Sequence, residues 1–286
     1  MRSVLVTGAN GQLGVALRNL QDSFDGFDIF FTDVDTLDIC DKVQITAFVE
    51  SHRIDTIVNC AAYTAVDKAE DETELCMRIN CDAVRNIGEV AAVVGAKVIH
   101  ISTDYVFDGC ALSPYREDDS TNPTSVYGAS KLAGEQALLA VCTDSVIIRT
   151  AWLYSETGSN FVKTMLRLGK ECDSLGVVAD QKGTPTYVGD LANAIKSVLI
   201  SEKFISGIYH YTNEGICTWY DFAVKIFEVA NIICDVKPLT TAEYPTHAKR
   251  PAYSVLDKSK IKETYGIKIP VWENGLERCM FQLAIN

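Results

Sequence analysis

The sequence predicts an α/β fold, a doubly wound parallel sheet with a smaller C-terminal lobe, on three observations. Short apolar runs alternate with longer amphipathic stretches as far as Thr150, the pattern of strands crossed over by helices. The first apolar run ends directly in a glycine-rich turn. Several later runs end in small or polar residues, and open α/β sheets bind ligands at those carboxyl ends. Beyond Thr150 the alternation breaks. Pro185, Pro238, Pro245, Pro251 and Pro270 punctuate shorter elements there, with no second glycine turn and no internal repeat. A main domain is therefore expected over 1–150 and a lobe over 151–286, with some segments of the lobe returning to the main sheet.

Val4-Leu5-Val6 is short and runs straight into a turn, so it predicts a strand rather than a secretion signal. The turn, Thr7-Gly8-Ala9-Asn10-Gly11-Gln12-Leu13-Gly14, spaces its glycines G-x-x-G-x-x-G. Gly8 permits the tight bend, Gly11 lets a phosphate approach the backbone, and Gly14 lets helix and strand pack closely. A dinucleotide pyrophosphate then sits on the helix N-terminus, where free N–H groups point at it. A plain tight turn is the alternative; the position after a strand argues for the Rossmann-type reading.

Phe27–Phe31 is the second strand, with Asp33 just past its end. An acidic residue about 20 positions after the glycines can accept hydrogen bonds from the adenosine ribose. It would repel a 2'-phosphate, which by itself leans towards NADH over NADPH; a capping aspartate is the alternative. Asp38 and Ile39 lie where they could contact the adenine. A helix is expected over Lys42–His52 and a third strand over Thr56–Thr64, where Ala61 and Ala62 leave room for a cofactor. A helix with a charged start, Asp67 to Glu74, continues to Val94. Val98–Thr103 is the fourth strand, and His100 inside it reads as a core residue. An irregular stretch leads to a helix carrying Tyr127 and Lys131, then to the strand Ser145–Arg149. In the lobe, Asn160–Lys170 and Asp190–Leu199 read as helices, the second returning to the main sheet.

Tyr127 and Lys131 are four apart and share one helix face. A free phenol titrates near pH ~10, and a nearby ammonium lowers that value. With 12 tyrosines in the chain, a surface tyrosine beside a solvated lysine is the alternative. Thr103 adds a hydroxyl at the end of a neighbouring strand. A hydroxyl, a phenol and an ammonium meeting above a nicotinamide make a carbonyl-reduction site. The hydroxyl orients the carbonyl oxygen, the phenol protonates it, and the lysine tunes the phenol and holds the ribose. Lys249-Arg250-Pro251 is a basic cluster in an acidic chain. Arg250 could clamp a substrate phosphate; a solvated loop is the alternative.

The formal net charge of −12 and pI of about 4.8 argue against a nucleic-acid surface, which needs a basic footprint. No run approaches the roughly 18 apolar residues that span a bilayer. The ten cysteines are scattered, with no Cys-x-x-Cys pair and no zinc spacing. They read as small apolar residues in a reducing compartment. A cytoplasmic protein without structural metal is expected.

Several segments resemble the extended short-chain dehydrogenase/reductase family, and within it the dTDP-4-dehydrorhamnose reductase branch. They are Gly11–Gly14, Ala61–Glu70, Ser102–Phe107, Val126-Tyr127-Gly128 with Lys131–Glu135, Arg149–Trp152, Asn160-Phe161 and Lys249–Pro251. The resemblance covers essentially the whole chain. It implies NADPH- or NADH-dependent reduction of the C4 ketone of dTDP-4-dehydro-β-L-rhamnose, with Tyr127, Lys131 and Thr103 catalytic. It implies a cofactor site lined by Gly11, Gln12, Leu13, Asp33, Asp38, Ile39, Ala62, Tyr63 and Thr64. Thr103, Asp104, Trp152, Asn160 and Arg250 are implied on the substrate side. Trp152 would pack its ring on the sugar's apolar face, a core tryptophan being the alternative. Family members that bridge dimers with magnesium use acidic residues where this chain has Ala16, Gly189 and Gln282. A monomer, or a dimer made without shared metal, is therefore expected. Two other functions share much of this pattern. A nucleotide-sugar dehydratase or epimerase is one, although Asp104 is followed by Tyr105 and not by a dehydratase's glutamate. A non-catalytic regulatory subunit like the methionine adenosyltransferase beta subunit is the other; the set Thr103, Tyr127, Lys131 and Trp152 favours an enzyme.

Overall fold

The computed structural model describes residues 2–285. Its main sheet has six strands. In chain order they are β1 (Arg2–Thr7), β2 (Phe27–Phe31), β3 (Thr56–Asn59), β4 (Lys97–Thr103), β5 (Ser145–Thr150) and, from the lobe, Gly207–His210. All neighbours pair in parallel, and the order across the sheet is Gly207–His210, β5, β4, β3, β1, β2. The chain steps outward from β1 to β2 and then returns to β3 on the other side of β1. That reversal opens a crevice between the carboxyl ends of β1 and β3.

A parallel sheet is buried on both faces, so its strands are apolar nearly throughout. Every residue of β3 and of β5 is buried. One face is covered by the helices Gln12–Asn19 and Val188–Ile200, whose Leu13, Leu17, Leu191 and Ile195 join Val4, Val6 and Ile148 in one cluster. The other is covered by Lys42–Ser51, Ala83–Val94 and Val126–Val141, through Ile45, Val49, Ile87, Val90 and Leu138. Segments beyond Thr150 thus complete the sheet and one of its faces. Among the described residues, no helix is long and apolar enough to cross a membrane.

Two expected elements differ. The third strand stops at Asn59 rather than Thr64. The Asn59 side chain accepts from Ala61 N (3.2 Å) and turns the chain out of the sheet. Tyr63 is then held by Asn80, which accepts from Tyr63 N (2.8 Å) and donates to its carbonyl (3.0 Å). The single helix expected from Asp67 to Val94 is broken into Val66–Ala69, Thr73–Met77, a π-helical turn Arg78–Asp82, and Ala83–Val94. Such π-turns recur at functional sites. Here the turn carries the buried Asn80 that holds the loop after β3.

The lobe packs the helices Phe161–Glu171, Trp219–Ala230 and Trp272–Ile285 around Tyr154, Val162, Phe222 and Trp272. Arg278 of the last helix makes two bonds, 2.6 and 2.7 Å, to Asp190 of Val188–Ile200 and fastens the lobe to the sheet.

Candidate active site

The glycine turn is built for close approach. Gly8 stands at φ +65°, and a Cβ there would lie 2.6 Å from Ala61 N. A Cβ on Gly14 would run into the Gly8 carbonyl oxygen. Gly11 precedes the helix and no side chain caps it, which leaves first-turn amides for an anion. A groove of about 410 Å³ runs past this turn across the crevice. It is lined by Gly8, Gly11, Asp33, Asp38, Ile39 and Ala62, and by Cys60 and Arg78, which the sequence did not single out. Glycines that a Cβ would block, open helix amides and an acid at the ribose end fit a nicotinamide dinucleotide.

Not every expected cofactor residue turns into the groove. Asp33 accepts from Asn10 N and Val34 N, each at 2.8 Å, so its carboxylate also ties the glycine turn to the end of β2. Leu13 points into the core, leaving only its backbone for the cofactor. Tyr63 donates its hydroxyl to Glu72 (2.6 Å), and Thr64 is exposed on the same loop. Gln12 reaches across to the lobe, where its Oε1 accepts from Ser155 Oγ (2.8 Å) and Asn160 Nδ2 (3.0 Å). Asn160 also caps the helix Phe161–Glu171. Its polar atoms serve the joint between turn and lobe.

Thr103 ends β4 and Tyr127 lies in the first turn of Val126–Val141, a helix capped by Ser125. Burial pushes the Tyr127 phenol above its ordinary range, and the Thr103 hydroxyl is the main influence pulling it back. The expected lowering by Lys131 is not found. The Lys131 amine is buried, donates to the Ile101 carbonyl at 2.6 Å and lies 3.4 Å from His100 Nε2; no hydrogen bond joins it to Tyr127. Desolvation brings it down to about 8. Asp104 is buried beside Thr103, which donates to its Oδ1 (3.0 Å), while Oδ2 has no partner. Burial raises this carboxyl to about 6.

Tyr105, Trp219 and Phe161 are further residues of the site. The Tyr105 ring packs edge-on against Tyr127, with centroids 5.6 Å apart. With Phe161, Met165, Trp219 and Arg250 it lines a cavity of about 570 Å³ in the lobe. Arg250 is neither a free arm nor a solvated loop residue. It donates to the Tyr105 hydroxyl (3.0 Å) and is ion-paired with Asp67. Trp152, at φ +49°, stacks on Trp219 with centroids 3.6 Å apart and is half-buried against the lobe's apolar cluster; Trp219, and not Trp152, lines the cavity. Aromatic spacing in the sequence flags Trp219 only weakly, because its partner lies far away along the chain. Arg78 has no signal there, since a π-turn is not legible in side-chain periodicity.

The family model described as the RmlD substrate binding domain matches residues 1–285. A protein of Aggregatibacter actinomycetemcomitans named dTDP-4-dehydrorhamnose reductase is 43% identical over 97% of this chain and 98% of its own. A dTDP-4-dehydrorhamnose reductase crystal structure from Clostridium acetobutylicum superposes with a TM-score of 0.94 at 43% identity, covering 99% of both chains. Another from Bacillus anthracis, in complex with NADP, gives a TM-score of 0.93 at 43% identity over 99% of this chain and 100% of that one.

Proposed function

The chain belongs to the RmlD substrate binding domain family, and from that premise we propose that it reduces the C4 ketone of dTDP-4-dehydro-β-L-rhamnose to dTDP-β-L-rhamnose, using NADPH or NADH, as the last step of dTDP-rhamnose synthesis. The observation that carries this reading is where Tyr127 stands. Its neighbour Tyr105 lines the lobe cavity, and Cys60, which faces Lys131, lines the dinucleotide groove. A reduced nicotinamide held in the groove supplies the hydride.

The protein's own residues do the rest. Thr103 orients the ketone oxygen, and Tyr127 delivers a proton to it as the alkoxide forms. A phenol held high by burial is a firm proton store that gives up its proton only to a stronger base, which a nascent alkoxide is. Lys131 holds the ribose. Asp104 offers its unpartnered Oδ2 to a sugar hydroxyl. Trp219, with Trp152 stacked on it, presents a flat apolar wall. Arg250, held in place by Asp67 and Tyr105, is a preset cation for the diphosphate. The Rossmann-type domain over 1–150 holds the cofactor, and the lobe over 151–286 gives the sugar nucleotide most of its site.

The test is net oxidation of added NADPH or NADH against a panel of nucleotide 4-keto sugars, followed at 340 nm. One equivalent should be consumed per dTDP-4-dehydrorhamnose. No consumption with any 4-keto sugar would remove the reading, since an epimerase or dehydratase that recycles its cofactor gives none. We further propose a cytoplasmic protein that is a monomer or a dimer without shared metal. Its sedimentation should be the same with and without a chelator; dissociation on chelation would overturn that expectation.

A further inference from the structure

Lys131 lies at the end of a buried chain of hydrogen bonds whose direction can be worked out. The chain begins at Asn59. Its Oδ1 accepts from Ala61 N at 3.2 Å, and a backbone amide can only donate, so this atom is the oxygen. Thr7 Oγ1 lies 2.7 Å from the same atom. The other amide atom, Nδ2, is therefore a donor, and it faces His100 Nδ1 at 3.0 Å. His100 Nδ1 must accept. A neutral imidazole that accepts at Nδ1 carries its proton on Nε2. Nε2 points at Lys131 Nζ, 3.4 Å away. His100 is completely buried, and Lys131 is 2% exposed.

An N–H aimed at an ammonium is two donors facing each other. An N–H aimed at a neutral amine meets a lone pair, and the amine still has a hydrogen for the Ile101 carbonyl at 2.6 Å. We propose that His100, fixed as the Nε2–H tautomer by Asn59, is a positioning residue that biases Lys131 towards the neutral amine in the dinucleotide-free protein, so that cofactor binding is coupled to proton uptake by Lys131. The other ionisable groups facing Lys131 are Cys60 after β3, Cys76 of Thr73–Met77, and Glu135 one turn on along its own helix. Glu135 favours the ammonium but is itself paired with Arg149. Burial pushes the Cys60 thiol up to about 12, which keeps it uncharged. Only His100 discriminates between the two forms by hydrogen-bond direction. Burial holds it neutral, well below its ordinary value, so it does not itself switch. The anionic dinucleotide brings negative charge and ribose hydroxyls, which the ammonium serves better than the amine.

The functional part of this proposal rests on the reductase reading, but its first two tests do not. In protein with ¹⁵N-labelled histidine, His100 (identified by its loss in His100→Gln) should give the Nε2–H pattern from pH 6 to 9. An Nδ1–H tautomer or an imidazolium would overturn the proposal. Calorimetry of NADPH binding at pH 8.5, in buffers of different ionisation enthalpy, should show most of a proton taken up per site. Uptake should shrink at least threefold in His100→Gln, whose carbonyl can accept from the ammonium. Equal uptake in both proteins would also overturn the proposal. The alkaline fall in kcat/KM should begin near pH 8 and move up by about one unit in His100→Gln, whereas a packing defect would lower the whole profile without moving it. Should His100→Gln fail to fold, Asn59→Asp provides the same comparison. Its carboxylate can only accept from Nδ1–H, which turns Nε2 into an acceptor for the ammonium, so uptake should fall; unchanged uptake would count against the chain.

Discussion

Replacing Tyr127 with phenylalanine should lower turnover by a factor of about 10²–10⁴ and leave dinucleotide binding nearly unchanged. A positioned acid contributes that much when the proton moves in the transition state. The phenol belongs there by geometry. It sits beside Thr103 at the end of β4, on a helix whose first turn is fixed by the Ser125 cap and the packing of Tyr105. Removing one oxygen leaves that ring packing intact, so the loss should fall on kcat, with little change in KM for NADPH. Thr103 and a water can replace some of the protonation, which sets the lower end of the range. Single-turnover hydride transfer measured with saturating sugar would decide the matter. A variant within threefold of the parent would take Tyr127 out of its role.

The second large effect concerns stability. Arg149 of β5 and Glu135 of the Tyr127 helix form a two-bond pair at 2.9 and 2.7 Å, with 3% and 1% of their side chains exposed. The guanidinium also lies over the Phe107 ring, and its third nitrogen has no partner. Breaking a buried pair from one side strands a charge and costs about 3–5 kcal/mol. Glu135→Ala should therefore lower the melting temperature by at least about 6 °C, while Glu171→Ala, which breaks the exposed pair with Arg167, should cost less than about 1 kcal/mol. Pairing Glu135→Leu with Arg149→Met should recover most of the loss, because two apolar groups of similar size leave nothing stranded. Equal melting temperatures for Glu135→Ala and the parent would show that Arg149 finds another acceptor.

Much of the fold was legible because its period was local. The strands are short apolar runs, and Gly8, Gly11 and Gly14 mark the first crossover by their spacing alone. The groove at the glycine turn was legible for the same reason: Asp33, Asp38, Ile39 and Ala62 lie just past strand ends, and they line one groove. What the sequence hid was set by contacts between distant segments. The break at Arg78–Asp82 has no apolar-periodicity signature, because it is Asn80 bonding to the Tyr63 backbone that makes the extra residue useful. Lys131 looked like a partner for Tyr127 on helical spacing, yet its amine goes to Ile101 and His100 on the strand beneath, a direction that i and i+4 arithmetic does not contain. Asn160 and Gln12, both expected at a ligand, bond to one another across the joint.

The sixth strand, Gly207–His210, has a consequence for how the chain is made. The first five strands are complete when Thr150 has been synthesised, but the outer edge of β5 is then bare. The face that receives Leu191, Ile195 and Val198 is then covered only by the helix Gln12–Asn19. The helix Val188–Ile200 is complete 50 residues later and the strand Gly207–His210 60 residues later, the last a delay of roughly 3–12 s at ordinary rates of elongation. During that interval a nearly finished, strongly apolar sheet has β5 as an additional open edge, the condition under which chains pair with each other. The helix Val188–Ile200 covers the face first, and the strand Gly207–His210 is the segment whose arrival closes the edge.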